Sequence, residues 1–336
     1  MMTLTDLVRD SQTPLPLPVA TFPGTALTGT TVREIVRDAR KQSATQVAFH
    51  RRFGTRVLLT CMDLSVEAEA FGASVIFSDA EVPTVTGRLV QNEAAAPDLP
   101  VPRVGEGRTT VYIEAAGNLA ASGTGVPVIA GMIGPFSLAG RLFGVSESLL
   151  ATASEPAVVE TLLEKVTEFL CAYAAAFKSA GASGVIIAEP SAGLLSPRGM
   201  AAYSSPFVRR IIAAVEDGSF EVILHNCAAR AMHLDAVRES GAHIVHFGAP
   251  MDMPAALSRL SSGAIVCGNL DPVGVFVQST PGGVARATRD LLASAAGYGN
   301  FVVSSGCDIP ASTPHENLDA FFREAAAAPV QTMKNL

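Results

Sequence analysis

The chain of 336 residues is 49% hydrophobic and only 16% charged, with a formal net charge of −7. This composition excludes a disordered chain, which is poorer in apolar residues, and the acidic balance argues against a nucleic-acid partner. Tryptophan is absent and aromatic residues make up 6% of the chain, so a base-stacking or lectin-like surface is not expected.

The cysteines are informative because there are five of them, an odd number, and no CxxC pair occurs. This pattern speaks against a disulfide framework and leaves metal binding or catalysis as roles for some of them. The apolar runs have strand length, well below the ~20 residues of a membrane-spanning helix. The first 18 residues are interrupted by charges and prolines, so no signal peptide is predicted. We therefore expect a cytoplasmic protein with free thiols and no membrane association.

Eight short apolar segments alternate with longer helical segments along the chain. The predicted strands are 18–22, 56–61, 127–132, 184–188, 221–225, 243–247, 264–268 and 301–304. The predicted helices between them include 146–180, 206–217, 254–260 and 281–296, with glycine soon after the end of each. The later strands are continuous apolar runs, which is typical of parallel strands covered on both faces. The pattern predicts one α/β domain over residues 1–336, a (β/α)₈ TIM barrel with an N-terminal extension.

A long insert, residues 65–125, follows the second predicted strand. It contains the sequence AEVPTVTGRLV at 80–90, which predicts a small β-hairpin at the rim of the barrel. A doubly wound open sheet is the alternative architecture. It receives no support from a nucleotide-binding motif, because neither GxGxxG at a strand–helix junction nor a Walker A sequence is present.

The residues that could carry chemistry lie at the C-terminal ends of the predicted strands, where barrels place their functional groups. The fifth strand ends with His225 and Cys227, and the eighth is followed by Cys307. Residues two apart in an extended segment face the same side, so all three side chains could meet one ion. Three protein ligands with an open fourth position are typical of catalytic zinc, which thiolates and imidazole favour over Mg²⁺ or Ca²⁺. The alternative is a packed core histidine beside two buried thiols.

Other strand ends carry polar side chains as well. Asp63 follows the second strand, Glu189 the fourth, and Asn269 lies in the GNLDP turn after the seventh. Helix capping is an alternative role for Asp63, and an architectural turn is an alternative role for Asn269. His246 on the sixth strand is interpreted as a packed histidine. The remaining cysteines are interpreted as interior thiols: Cys61, Cys171 and Cys267.

Nearly the whole chain resembles the uroporphyrinogen decarboxylase superfamily, through segments 62–85, 127–144, 184–197, 224–230, 267–276 and 304–321. Its zinc-dependent branch, the methylcobamide:coenzyme M methyltransferases, is distinguished by HxC after one strand and GC near the last strand. Here these motifs are His225, Cys227 and Cys307. The decarboxylases themselves use no metal and have an Arg-rich segment after the first strand. Residues 19–29 contain no Arg, so decarboxylation is the less favoured of the two activities. The fold that the resemblance implies is again a (β/α)₈ barrel.

The resemblance implies that Zn²⁺ on His225, Cys227 and Cys307 activates a small thiol such as coenzyme M, which accepts a methyl group from a methylcorrinoid. No DxHxxG corrinoid-binding sequence occurs, so a separate corrinoid protein would supply that cofactor at the barrel mouth. Asp63 and Glu189 are then predicted to be catalytic carboxylates, and Asn269 to contact the cofactor.

Three other functions stay open at this point. One is a corrinoid-dependent demethylase that acts on an O-, N- or S-methyl donor. The second is uroporphyrinogen decarboxylation in porphyrin biosynthesis, and the third is a non-catalytic carrier of a corrinoid or tetrapyrrole. The sequence also departs from the relatives after the sixth strand, where an acidic residue can fill the fourth zinc position. Gly248 and Ala249 stand there in this chain, so either water, His246 or another residue fills the fourth position, or the resting geometry differs. The same change leaves the methyl acceptor open.

Overall fold

The computed structural model describes residues 2–260 and 263–328, and within them the fold is built on one sheet of eight parallel strands. The strands that form it are β1 (Leu15–Pro16), β2 (Leu58–Leu59), β5 (Val128–Ile133), β6 (Gly184–Ala188), β7 (Glu221–Asn226), β8 (Ile244–Phe247), β9 (Ile265–Leu270) and β10 (Phe301–Ser305). Their order is β1-β10-β9-β8-β7-β6-β5-β2. Neighbours in the sheet thus follow chain order, which confirms the (β/α)₈ barrel and excludes a doubly wound sheet.

The α-helices of the described residues surround this sheet. They are α1 (Leu4–Asp10), α2 (Thr25–Thr28), α3 (Val32–Ile35), α4 (Ala39–Phe53), α5 (Val66–Ala70), α6 (Thr109–Ala120), α7 (Pro135–Phe143), α8 (Val145–Ser154), α9 (Pro156–Ser179), α10 (Pro197–Tyr203), α11 (Ser205–Val215), α12 (Leu234–Glu239), α13 (Met253–Arg259), α14 (Pro281–Ser294) and α15 (His315–Ala326). Short 3₁₀ turns cover Glu93–Ala95, Pro190–Leu194 and Ala231–His233. None of the helices in the described ranges is long and apolar enough to cross a membrane. Residues 1, 261–262 and 329–336 lie outside the described residues, so one domain over 1–336 stays a prediction.

The first strand is the clearest difference from the sequence-based prediction. The predicted segment 18–22 is wrong, because the ladder with β10 pairs only Leu15 and Pro16 before it ends. Pro18 has no N–H to donate, and Val19 donates instead to the side chain of Ser305 at 2.9 Å. The second strand is also shorter than predicted, whereas β5 to β10 lie within two residues of the predicted bounds.

The prediction of one helix over 146–180 is also wrong. The segment forms two helices, α8 and α9, which meet at Glu155 and Pro156. Pro156 is the first residue of α9, where its missing N–H costs nothing, but inside a longer helix it would remove a hydrogen bond. The insert after the second strand does contain the predicted hairpin, formed by β3 (Ser74–Ile76) and β4 (Thr84–Thr86).

Two hydrophobic clusters form the core, one inside the barrel and one between the sheet and the helices. The inner cluster includes α1, whose Leu4, Leu7 and Val8 are buried against inward-facing strand residues. The backbone N–H of Leu4 donates to the carboxylate of Glu221 at 2.7 Å, at the first residue of β7. The N-terminal extension therefore closes the end of the barrel at which the strands begin.

The same end of the barrel carries a histidine with two acidic neighbours. His243 Nδ1 lies 3.3 Å from Glu216, and its Nε2 lies 4.0 Å from Glu221. These carboxylates, Glu216 first, raise the pKa of His243 from 6.5 to about 9. A pKa that is higher in the folded state gives a stabilisation that is complete below about pH 6.5 and is lost as the pH rises through about 9.

We therefore expect the urea midpoint of unfolding to decrease between pH 6.5 and pH 9. The His243→Gln variant should show a smaller decrease over this range, because it has no imidazolium to lose. If the urea midpoint decreased equally with pH in the wild-type protein and in His243→Gln, this role of His243 would be contradicted.

The barrel is closed between β1 and β2 by side chains. In the described residues, ladders join seven pairs of neighbouring strands, and β1 and β2 are the two edges of the sheet. Buried Gln46 on α4 donates to the carbonyl of Thr21, beyond β1, at 2.6 Å. The N–H of Met62, beyond β2, donates to the hydroxyl of Thr21 at 3.1 Å. Thr21 is thus the shared partner across this seam.

Candidate metal centre

The structure brings together the three residues that the sequence pattern selected as metal ligands. His225 is the second-last residue of β7 and is buried, and Cys227 is the first residue beyond that strand. Cys307 is the second residue after β10, which ends at Ser305. The ligand atoms of His225, Cys227 and Cys307 all lie within 4.8 Å of one another. In the part of the chain that the structure describes, they form the one group of at least three His, Cys, Asp or Glu side chains with such spacing.

Two glycines allow the loops that carry these residues to approach each other. A Cβ at Gly248 would overlap the carbonyl oxygen of Cys227 and lie 2.6 Å from its Cα. A Cβ at Gly306 would lie 2.7 Å from the backbone nitrogen of Ala249. Both distances are below any real contact of a Cβ, so larger residues would push the loops apart. The same crowding means that no carboxylate side chain fits at position 248 with this backbone.

Asn269 supports these loops from the neighbouring strand. Its side-chain amide donates to the carbonyls of Gly248 at 3.0 Å and Met251 at 2.8 Å. These bonds satisfy both amide hydrogens and hold the turn that packs against Cys227. Contact of Asn269 with a cofactor stays a prediction, and its hydrogen bonds favour the architectural alternative.

The two candidate thiols interact directly. A hydrogen bond with Cys307 lowers the pKa of the Cys227 thiol, against the opposing effect of burial. The same hydrogen bond, together with burial, raises the pKa of Cys307 to about 12. Without a cation, Cys227 is therefore the more acidic thiol of the pair, and Cys307 donates to it. A metal ion would replace this proton between the sulfurs.

His246 lies next to the candidate site, and its hydrogen bonds there were not predicted from the sequence. It pairs with His225 in the β7–β8 ladder, and the two Nδ1 atoms lie 2.7 Å apart. On its other side, His246 Nε2 lies 2.8 Å from the hydroxyl of Ser304. Burial and the proximity of His225 lower the pKa of His246 well below 6.5, so its ring is neutral. The signal that could have identified it is its matching position at the end of the adjacent strand.

Glu189 follows β6 directly, and its carboxylate binds the start of α7 and is not a member of the candidate ligand group. It accepts hydrogen bonds from the backbone N–H of Phe136 at 2.8 Å and of Ser137 at 2.9 Å. These are the first free N–H groups of α7, so Glu189 caps that helix from another strand. The hydroxyl of Ser137 donates as well, at 2.6 Å. Burial nevertheless raises the pKa of Glu189. A catalytic role of Glu189 stays a prediction.

The Glu189→Ala variant is expected to lose about 2–4 kcal/mol of unfolding free energy, because the buried N–H groups of Phe136 and Ser137 lose their acceptor. Urea denaturation monitored by circular dichroism measures this loss. Glu189→Gln retains one acceptor oxygen and should lose less. Unchanged stability with loss of bound metal would instead assign Glu189 to the metal centre.

Asp63, the other predicted catalytic carboxylate, belongs to a buried ion cluster. It accepts hydrogen bonds from Arg108 at 2.5 Å, Tyr112 at 3.1 Å and the hydroxyl of Ser65 at 2.6 Å. Arg108 also pairs with Glu69 on α5 at 2.6 Å. The cluster fastens the long insert, which supplies Arg108 and Tyr112, to the end of β2. A catalytic role of Asp63 stays a prediction, and its contacts favour a structural role close to the capping alternative.

The other cysteines are not members of the candidate ligand group. Cys61 and Cys267 are buried, as predicted for interior thiols, and burial raises the pKa of both. Cys171 differs from the prediction, because it is only half-buried on α9.

A cavity of about 390 Å³ adjoins the loop that carries Cys307. Its wall includes Asp308, the residue after Cys307, together with Phe22 beyond β1 and Val82 in the hairpin. Residues 308–312 and 79–82 both contribute to this wall. Space for a small molecule or part of a cofactor thus exists at the end of the barrel where the strands terminate.

The donor set fits zinc in chemistry and in spacing. Bonds of about 2.0–2.3 Å in a tetrahedron place ligand atoms roughly 3.3–3.8 Å apart, which is compatible with atoms within 4.8 Å. Two sulfurs and one imidazole nitrogen are soft and borderline donors, which suit Zn²⁺ better than Mg²⁺ or Ca²⁺. Three protein ligands leave the fourth position for a substrate.

Known proteins resemble this chain over most of its length. Residues 22–328 match the family model described as Uroporphyrinogen decarboxylase (URO-D). The methylcobamide:CoM methyltransferase MtbA of Methanosarcina acetivorans is 30% identical over 286 residues, which cover 84% of this chain and 82% of MtbA. A methylated-thiol–coenzyme M methyltransferase of Methanosarcina mazei is 26% identical over 301 residues, covering 87% of this chain and 78% of that protein.

A solved structure of a methyltransferase from Methanosarcina mazei has the same fold. It superposes with a TM-score of 0.85 at 21% sequence identity, over 97% of this chain and 99% of the other. The family, the barrel and a methyltransferase activity that were predicted from the sequence are therefore confirmed. The chain belongs to the uroporphyrinogen decarboxylase family.

Proposed function

We propose that this enzyme transfers a methyl group from a methylcorrinoid, carried by a separate protein, to a small thiol held at a zinc ion. The observation that carries the proposal is the convergence of His225, Cys227 and Cys307 at the barrel mouth, with ligand atoms within 4.8 Å of one another. The relatives named methylcobamide:CoM methyltransferase support the donor and the class of acceptor. Coenzyme M itself is one candidate acceptor among small thiols.

In this proposal, some residues of the chain bind the metal ion and others hold the loops that carry the ligands. His225, Cys227 and Cys307 would hold the zinc ion, which when bound favours the thiolate form of a substrate thiol over the thiol form. The thiolates of Cys227 and Cys307 would make a zinc centre formally neutral, so that a substrate thiolate would retain its nucleophilic electron pair. Asn269 and the glycines at 248 and 306 keep the ligand loops in place.

The transfer balances without a redox partner. The thiol proton is released to solvent, the sulfur–methyl bond forms, and the methyl–cobalt bond breaks with its electron pair left on the corrinoid. These reaction steps require no general base from the protein. The cavity beside Asp308 supports entry of the acceptor or of part of the corrinoid from the open end of the barrel. A centre with two reduced thiols supports a cytoplasmic location.

The reverse half-reaction is the second candidate function. In that case the chain would demethylate a methyl donor and methylate the corrinoid. The relative named for a methylated thiol favours an S-methyl donor over an O- or N-methyl donor.

The decisive experiment combines metal analysis with corrinoid spectroscopy. Protein purified without chelator should contain about one zinc per chain. With methylcobalamin and coenzyme M or 2-mercaptoethanol, the absorbance should change from the methyl-Co(III) to the Co(I) form. Conversion only in the reverse direction, from Co(I) with dimethyl sulfide or methylated coenzyme M, would establish the demethylase alternative. Absence of zinc, or absence of both conversions, would overturn the proposal.

A further inference from the structure

A series of hydrogen bonds through buried side chains connects the candidate ligand His225 with the backbone just beyond β1. The Nδ1 atoms of His225 and His246 lie 2.7 Å apart, and Nε2 of His246 lies 2.8 Å from the hydroxyl oxygen of Ser304. That hydroxyl in turn donates to the backbone carbonyl of Leu17 at 2.5 Å. The side chains of His225, His246 and Ser304 are all at most 3% exposed, so water does not compete for these bonds.

The carbonyl of Leu17 ends this series of hydrogen bonds and determines the positions of the protons along it. A carbonyl oxygen can only accept, so the single hydroxyl proton of Ser304 is committed to Leu17. Ser304 must then accept the hydrogen bond from His246, which places the proton of His246 on Nε2. A buried imidazole with one proton, on Nε2, offers a lone pair at Nδ1. Only one proton fits between the two Nδ1 atoms, which lie 2.7 Å apart, so His225 donates its Nδ1 proton to His246.

This order of protons determines which nitrogen of His225 is free. With the proton on Nδ1, the lone pair of His225 lies on Nε2. A ligating imidazole generally donates its other N–H to an acceptor, which fixes the ring orientation and increases the basicity of the ligand. The acceptor is commonly a carboxylate or a carbonyl, whereas here a second imidazole occupies that place.

We propose that His246 is a positioning residue, which together with Ser304 holds His225 in the tautomer that presents Nε2 to the metal. The inference rests on the metal centre of the proposed function, but the tautomer itself exists in the metal-free protein. The carbonyl of Leu17, just beyond β1, is the fixed end that sets the direction of all three hydrogen bonds.

Matched variants separate this role from packing. His246→Leu removes the acceptor, whereas His246→Asn has nearly the same shape as Leu and places an amide oxygen near the position of Nδ1. Ser304→Ala removes the group that holds the proton of His246 on Nε2 and leaves the ring in place. Melting curves of the three variants establish which of them fold, and Ser304→Ala, the smallest change, keeps the test available if the substitutions of His246 do not.

The first readout is zinc affinity, measured by competition with a chromophoric chelator. Loss of a hydrogen-bond partner of a ligand typically weakens metal binding about 10- to 100-fold. We expect His246→Leu and Ser304→Ala to fall in this range and His246→Asn to recover much of the affinity. Wild-type affinity in folded His246→Leu or Ser304→Ala would overturn the proposal.

The second readout needs no metal. Two-bond ¹H–¹⁵N spectra of the metal-free protein should show His225 with its proton on Nδ1 and His246 with its proton on Nε2. In Ser304→Ala, His225 should become a mixture of tautomers. A proton on Nε2 of His225 in the wild-type protein would overturn the proposal. If the wild-type protein shows the expected tautomers but binds no zinc, the proposed function fails while the proton order stands.

Discussion

Cys227→Ala is expected to reduce bound zinc from about one ion per chain to a small fraction, because two protein ligands remain where three are needed. Methyl transfer from methylcobalamin to a thiol should fall by roughly 10³-fold or more, if the ion supplies about 4 kcal/mol of activation to the thiol. Cys307→Ala should behave in the same way. Elemental analysis and the absorbance of the corrinoid measure the two effects on the same sample.

Cys171→Ala is the control for this experiment. Cys171 is a half-buried thiol on α9 and is not a member of the ligand group, so its removal should leave zinc content and methyl transfer unchanged. Retention of a full zinc equivalent by folded Cys227→Ala would show that the ion binds elsewhere.

Arg108→Met is expected to produce the largest loss of stability among single substitutions near the barrel mouth. The side chain of Asp63 is fully buried and that of Arg108 is only 8% exposed. Removal of the guanidinium leaves a buried carboxylate without its cation, which typically costs about 3–5 kcal/mol. Urea denaturation of the variant and of the wild-type protein under the same conditions measures the difference.

A surface ion pair provides the matched control for Arg108→Met. Arg52 and Asp319 are 2.6 Å apart, but both side chains are more than a third exposed. Asp319→Asn should therefore cost only about 0–1 kcal/mol. A similar cost for the two variants would mean that the buried cluster does not fasten the insert as its contacts indicate.

Asp63→Asn then distinguishes the two roles considered for this residue. A catalytic carboxylate would lower kcat at unchanged stability, whereas the structural role lowers stability and leaves kcat per folded molecule in place. The contacts with Arg108, Tyr112 and Ser65 lead us to expect the second result.

The sequence was sufficient for the barrel and the candidate ligands, because both depend on local and periodic patterns. Continuous apolar runs at regular intervals predict buried parallel strands, and β6 is found at its predicted bounds. The HxC spacing places His225 and Cys227 on one side of an extended segment, and barrel closure brings Cys307 to them. In each case, the position along a strand determines the position in space.

The roles of the other polar residues could not be read in this way, because they depend on partners far away in the chain. Glu189 caps a helix 52 residues before it, and Asp63 is bound by Arg108 from within the insert. His246 could be placed on a strand, but its contact with His225 requires the register between β7 and β8. Strand ends therefore identify candidates, and only the packing of loops decides which of them face the candidate metal centre.

The seam between β1 and β2 has a consequence for a large second substrate. In the described part of the chain the two strands are joined through Thr21 and Gln46, without a backbone ladder. Thr21 also donates its backbone N–H to Asp308, the neighbour of Cys307, at 2.9 Å. Widening at this side would break the hydrogen bonds that Thr21 makes with Gln46 and Met62 but no backbone ladder, and the movement would be transmitted to a ligand loop. In the proposed function, a corrinoid that entered would therefore meet, beside the loop that carries Cys307, a wall without a backbone ladder.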